Sequence, residues 1–124
     1  MSSQMHVLVV DDEPVIRSLF TDFLKDEGYV VETVGNGKEA LDRLSQKTFG
    51  IIFMDVHMPV MNGLEALIEM RRLYPSLAVV MMDSFPDKLA EEAQKKGAIT
   101  CIHKPFNITE ITGLIKANSK SKED

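Results

Sequence analysis

The sequence predicts an α/β fold in which a parallel sheet is doubly wound, with helices over both of its faces. Three observations predict it. Apolar runs of strand length recur at residues 7–10, 51–54 and 77–82, too short for helices and apolar at successive positions, as strands buried on both faces require. Between them lie segments of helical period, and that alternation implies right-handed crossovers between parallel strands. The three runs also stop at acids, Asp11, Asp55 and Asp83, at the strand ends where open α/β sheets bind ligands.

The first strand takes residues 6–10 and runs into Asp11-Asp12-Glu13. Pro14 then suits a first helical position, and Ile16, Leu19, Phe20, Phe23 and Leu24 recur as one apolar face before Gly28. Residues 29–34 are β-branched and aromatic, a more exposed strand, turned by Gly35-Asn36-Gly37 into a helix carrying Ala40, Leu41 and Leu44. The third strand is the central one. Its apolar block 51–54 delivers Asp55, after which Pro59 and Asn62-Gly63 supply the turn into a helix with Leu64, Leu67, Ile68 and Arg71. Tyr74-Pro75 ends that helix.

Residues 77–82 form the fourth strand, followed by Asp83 and by a helix over about residues 87 to 96 with only Leu89, Ala90 and Ala93 as its stripe. It should be the least firmly packed helix. The last strand, 99–102, leads through His103-Lys104-Pro105 to a helix whose face is Ile108, Ile111, Leu114 and Ile115. Asn107 reads as its cap with Glu110 three residues on. One domain over residues 1–118 and a polar tail over 119–124 complete the chain.

Composition narrows the function. At 124 residues the chain buries about two-thirds of its unfolded surface, enough for a core without a staple. A net charge of -5 argues against nucleic acid or an anionic membrane as the direct partner. The lone Cys101 excludes an internal disulfide and reads as a small residue in a strand of a cytoplasmic protein. No run approaches the ~20 apolar residues of a membrane helix.

The strand ends gather Asp11, Asp12, Asp55, Asp83 and Lys104. One lysine cannot neutralise four acids. Close carboxylates with hard oxygen atoms suit Mg²⁺, so the constellation predicts that cation together with an anionic group held by metal and lysine. Asp83 also has a plainer reading as a surface acid. His57 reads as a loop imidazole that modulates water access or, alternatively, ligates a softer metal, and His6 and His103 have no evident partner.

Asp11-Asp12 after strand one, Asp55-x-x-Met58-Pro59-x-Met61-Asn62-Gly63, and Lys104-Pro105-Phe106 before the last helix together resemble the response regulator receiver domain of two-component and phosphorelay signalling, in its stand-alone form. The resemblance spans about residues 5 to 118. It implies the flavodoxin-like strand order 2-1-3-4-5 and a phosphoacceptor role for Asp55, which takes a phosphoryl group from the phosphohistidine of a histidine kinase or phosphotransferase. It further implies Mg²⁺ held by Asp12, Asp55, the His57 carbonyl and, through water, Asp11, with Lys104 on a phosphoryl oxygen and a cis bond before Pro105. Such a domain is a signalling module rather than an enzyme, monomeric or dimerising on phosphorylation, whose fourth and fifth strands and helices shift towards a downstream protein target.

Two positions depart from that pattern. Asp83 stands where the family has Thr or Ser, and Cys101 where it has the aromatic that reports the switch. An acid about 4 Å from a phosphoryl group costs about 4 kcal/mol at an effective dielectric constant near 20, so two outcomes stay open: Ser84 substitutes as the hydroxyl, or Asp83 swings outward. Two other functions compete. One is a degenerate receiver that docks a partner without phosphorylation; the other, a Mg²⁺-dependent aspartyl-phosphate phosphohydrolase, lacks the second Asp at position 57 and room for a cap domain.

Overall fold

The computed structural model describes residues 5–84 and 87–119. In chain order the elements are β1 (His6–Val10), α1 (Pro14–Asp26), β2 (Val30–Val34), α2 (Gly37–Gln46), β3 (Ile51–Asp55), α3 (Gly63–Leu73), β4 (Val79–Asp83), α4 (Lys88–Lys95), β5 (Thr100–His103) and α5 (Ile108–Ser119). The strands pair in parallel in the order β2-β1-β3-β4-β5, as expected. Ser119, assigned to the polar tail, ends α5, and residues 120–124 lie outside the described residues.

Alternation along the strands splits the core in two. Leu8, Val10, Ile52, Met54, Val79 and Met81 face α2, α3 and α4, meeting Ala40, Leu44, Leu67, Met70, Ala90 and Ala93. Val7, Val9, Ile51, Phe53, Val80 and Met82 face α1 and α5, meeting Phe20, Leu24, Ile111 and Ile115. Both faces are covered, which is why these strands carry no polar alternation. Phe20 anchors the second face, with ring centroids 5.4 Å from Phe53 and 5.3 Å from Phe106.

Three apolar side chains assigned to helix faces are instead half-exposed: Leu19, Ile68 and Ile108. Leu19 stands one residue before the fully buried Phe20 and Ile68 one residue after the fully buried Leu67, and one step along a helix rotates a side chain about 100°. The sheet covers only one side of that arc. Arg71 takes the remaining space below α3 and donates to the carbonyls of Pro75 and Leu77, so its aliphatic stem is packing rather than solvated charge.

Two glycines are demanded by the backbone. Gly97 ends α4 with φ of +110°, and at Gly63 a Cβ would stand 2.2 Å from the Asp55 carbonyl oxygen. That close approach, with the Gly63 amide donating to the Val56 carbonyl at 2.8 Å, presses the start of α3 against the end of β3.

Candidate functional site

The carboxyl ends of β1, β3 and β5 deliver the site. Side chains two residues apart share a face, so Asp11 follows Val9, and Asp55 follows Phe53, onto the α1/α5 side. Asp11 is fully buried and Asp55 nearly so, at 6% exposure, while Asp12 turns to solvent. One oxygen from each of Asp11, Asp12 and Asp55 falls within 4.8 Å of the others.

Lys104 enters from the end of β5. Its Nζ lies 2.9 Å from Asp11 Oδ2, 2.9 Å from Glu13 Oε1 and 3.5 Å from Asp55 Oδ2. Burial, the largest influence, pulls the ammonium's pKa down, but the bonds to Asp11 and Glu13 and the field of Asp55 outweigh it and push it up. Lys104 therefore stays charged. Glu13 is a contact that strand-end reasoning missed, although it stands two residues after Asp11 in the same acidic run.

One lysine still leaves excess negative charge. Burial, then the neighbouring Asp11 carboxylate, raises the Asp55 pKa to about 6 against the pull of Lys104. Burial likewise raises Asp11, against Lys104 and the Glu13 amide, which donates to Asp11 Oδ1 at 2.9 Å. Asp11 Oδ2 has no aligned hydrogen-bond donor among the described residues, although Lys104 is near. Three hard oxygen donors, one of them buried without an aligned donor, fit a divalent cation of the Mg²⁺ kind.

The loop from β3 to α3 shapes the rim. Met61 donates to the Pro59 carbonyl at 2.7 Å, closing a γ-turn around Val60, whose φ of +69° is strained for a β-branched residue. Asn62 then caps α3 in a reciprocal pair with Glu65. His57, exposed in this loop, sets Nε2 2.8 Å from Asp87 Oδ2, and Asp87 caps α4 through Ala90. The ring is thereby joined to a helix 30 residues on. The bond from Lys104 to Pro105 is cis.

Asp83 does not join this cluster. It follows Met81 onto the α2–α4 face, opposite Asp55, and it is 1% exposed, which corrects the reading of a surface acid. Its Oδ1 lies 2.6 Å from His103 Nδ1 and its Oδ2 accepts from Cys101 Sγ at 3.0 Å. His103 thus has a partner after all. The register explains both contacts, because Asp83 pairs with His103 and Met81 with Cys101 across β4 and β5. Asp83 raises the His103 pKa, while burial and then Asp83 push the Cys101 thiol up to about 12, so that thiol is not a nucleophile. Ser84, just past β4, is exposed.

Residues 7–116 match the response regulator receiver domain family. The chain belongs to that family. Among curated relatives, sporulation initiation phosphotransferase F of Bacillus subtilis is 32% identical over 111 residues, which cover 89% of this chain and 90% of the relative. A protein-glutamate methylesterase/protein-glutamine glutaminase of Rhodospirillum rubrum is 37% identical over 91% of this chain. The chain spans only 30% of that relative's length. Among solved structures, response regulator protein TrrA of Thermotoga maritima, in complex with Mg(2+)-BeF, is 30% identical with a TM-score of 0.80, covering 92% of this chain and 98% of that one.

As a receiver domain of the two-component signalling class, this chain carries the family's acidic pocket on the Asp55 side of its sheet. No helix among the described residues is long and apolar enough to cross a membrane.

Proposed function

We propose that this receiver accepts a phosphoryl group on Asp55 from the phosphohistidine of a histidine kinase or phosphotransferase. The observation that carries the reading is the nearly buried Asp55 carboxylate, set within 4.8 Å of oxygens of Asp11 and Asp12 and 3.5 Å from Lys104. With a pKa near 6, Asp55 is mostly ionised at neutral pH, as a nucleophile must be. A carboxylate oxygen of Asp55 forms the new bond to phosphorus. The phosphorus–nitrogen bond to the donor imidazole breaks, and its electron pair returns to the ring nitrogen.

Asp11, Asp12 and Asp55, with the His57 carbonyl, would hold Mg²⁺. The ion supplies neutralisation of the charge that spreads over the transferring oxygens. Lys104 supplies the matching positive charge from the other side, exchanging its contacts with Asp11 and Glu13 for a phosphoryl oxygen, and Ser84 offers a hydroxyl at the end of β4. Phosphorylation then shifts β4, α4, β5 and α5, changing the surface offered to a downstream protein or a second copy of the chain. The domain works in the cytoplasm as a phosphoacceptor and turns over no separate substrate.

Intact mass after incubation with Mg²⁺ and acetyl phosphate tests this. The chain should gain one phosphoryl group and Asp55→Asn none; modification of both, or of neither, overturns the assignment.

A further inference from the structure

A carboxylate at 1% exposure is costly unless its charge is answered, and here the answer comes from β5. His103 lies 2.6 Å from one oxygen of Asp83 and the Cys101 thiol 3.0 Å from the other, so both oxygens are engaged by side chains of β5. The separation in space is nevertheless small. Asp55 pairs with Met82, the residue before Asp83, and the Cys101 thiol feels the charges of both Asp83 and Asp55. Asp83 also touches the transfer machinery through its backbone, since its carbonyl accepts from the Lys104 amide at 2.7 Å.

We propose that His103 is a positioning residue for phosphoryl transfer: its ring holds the Asp83 carboxylate on the sheet face opposite Asp55 and balances its charge. The inference rests on the phosphoacceptor reading. Without the ring, an uncompensated negative charge sits one strand from the phosphorus, and the end of β5 that presents Lys104 keeps only the Cys101 thiol as a side-chain tie to Asp83 on β4. With it, the acid that replaces a hydroxyl at this position is compatible with a phosphoryl group on Asp55. Cys101 completes the arrangement as the second donor. The charges acting on the His103 ring are Asp83 from β4 and Glu110 from α5.

The test measures the initial rate of phosphorylation by acetyl phosphate with Mg²⁺ at pH 7, by intact mass, in the full chain and four variants. His103→Gln should be about tenfold slower, as one uncompensated charge nearby predicts. His103→Arg, which keeps the cation, Asp83→Asn, and the double variant His103→Gln/Asp83→Asn should all stay within about twofold of the unsubstituted chain. A general loss of packing would not be rescued by removing Asp83. NMR titration of the His103 ring reads the tie without phosphate: Asp83→Asn should lower its pKa towards the ordinary histidine value.

A phosphorylated parent chain whose rate His103→Gln matches overturns this inference alone, as does a double variant as slow as the single one or an unchanged His103 titration in Asp83→Asn. A parent chain that takes up no phosphoryl group overturns the phosphoacceptor reading, and this inference with it.

Discussion

Two buried carboxylates end neighbouring strands of this sheet, and they have opposite fates. Asp55 on β3 shares one lysine with Asp11 and Glu13, so the α1/α5 side keeps an excess of negative charge. Asp83 on β4 has a histidine and a thiol to itself, and the α2–α4 side is balanced. The same residue type is an acid short of positive charge in one place and a structural tie in the other. What differs is the number of donors per acid and the sheet face on which alternation sets the side chain. The proposed uptake of a cation and a phosphoryl group requires a site left short of positive charge.

The strongest way to break the contrast is to remove the shared lysine. Lys104→Met leaves Asp11 and Asp55 without a cation and should cost about 3 kcal/mol of folding stability in chelator, with much of it restored by Mg²⁺, as urea unfolding with and without the ion would show. Equal loss in both conditions would mean that packing of the lysine stem, not charge, is responsible.

The next effect has the opposite sign. Because folding raises the Asp55 pKa from 3.8 to about 6, its ionisation opposes folding: the penalty is absent below about pH 4, grows as pH rises, and is complete above about pH 6. Asp55→Asn should therefore be more stable than the parent at pH 7 in chelator, by up to about 3 kcal/mol, and should lose that advantage at pH 4. Unfolding curves of the two chains that stay parallel from pH 4 to 8 would refute it.

On the balanced side the sign reverses again. The raised His103 pKa means that its pair with Asp83 stabilises the fold fully below the ordinary histidine pKa, and that this contribution is lost as pH rises through the folded value. The parent should soften as pH rises from the ordinary histidine pKa of about 6.5 through the raised folded value, in a step that His103→Gln lacks, measured by melting temperature. The smallest change expected is at Val60 on the rim. Val60→Gly relieves the positive φ but loosens the unfolded chain, so a gain of no more than about 1 kcal/mol should appear in urea unfolding.

Much of this organisation was legible in the sequence. Five strands, five helices and the convergence of Asp11, Asp12, Asp55 and Lys104 follow from apolar runs that stop at charged residues, because burial on both faces leaves a parallel strand no other composition. The cap at Asn107 was equally local, since its side chain accepts from the Glu110 amide three residues on. The half-exposed Leu19 and Ile68 were not, because a helical stripe shows which residues share a side and not how far the sheet beneath extends.

The fate of Asp83 lay between these cases. Its replacement of a hydroxyl was visible in the sequence, but the strand ends alone grouped it with Asp55, and its face and its partners came only from the alternation along β4 and the register of β4 with β5. His57 meeting Asp87 is the same kind of contact, made across 30 residues by the packing of α4. The sequence by itself determined the sheet, the strand-end acids and the lysine, because periodicity and turn chemistry act over a few residues. Only the tertiary structure decided which acid shares a lysine and which owns a histidine, since that choice is set by strand register and by the number of donors that happen to face each buried charge.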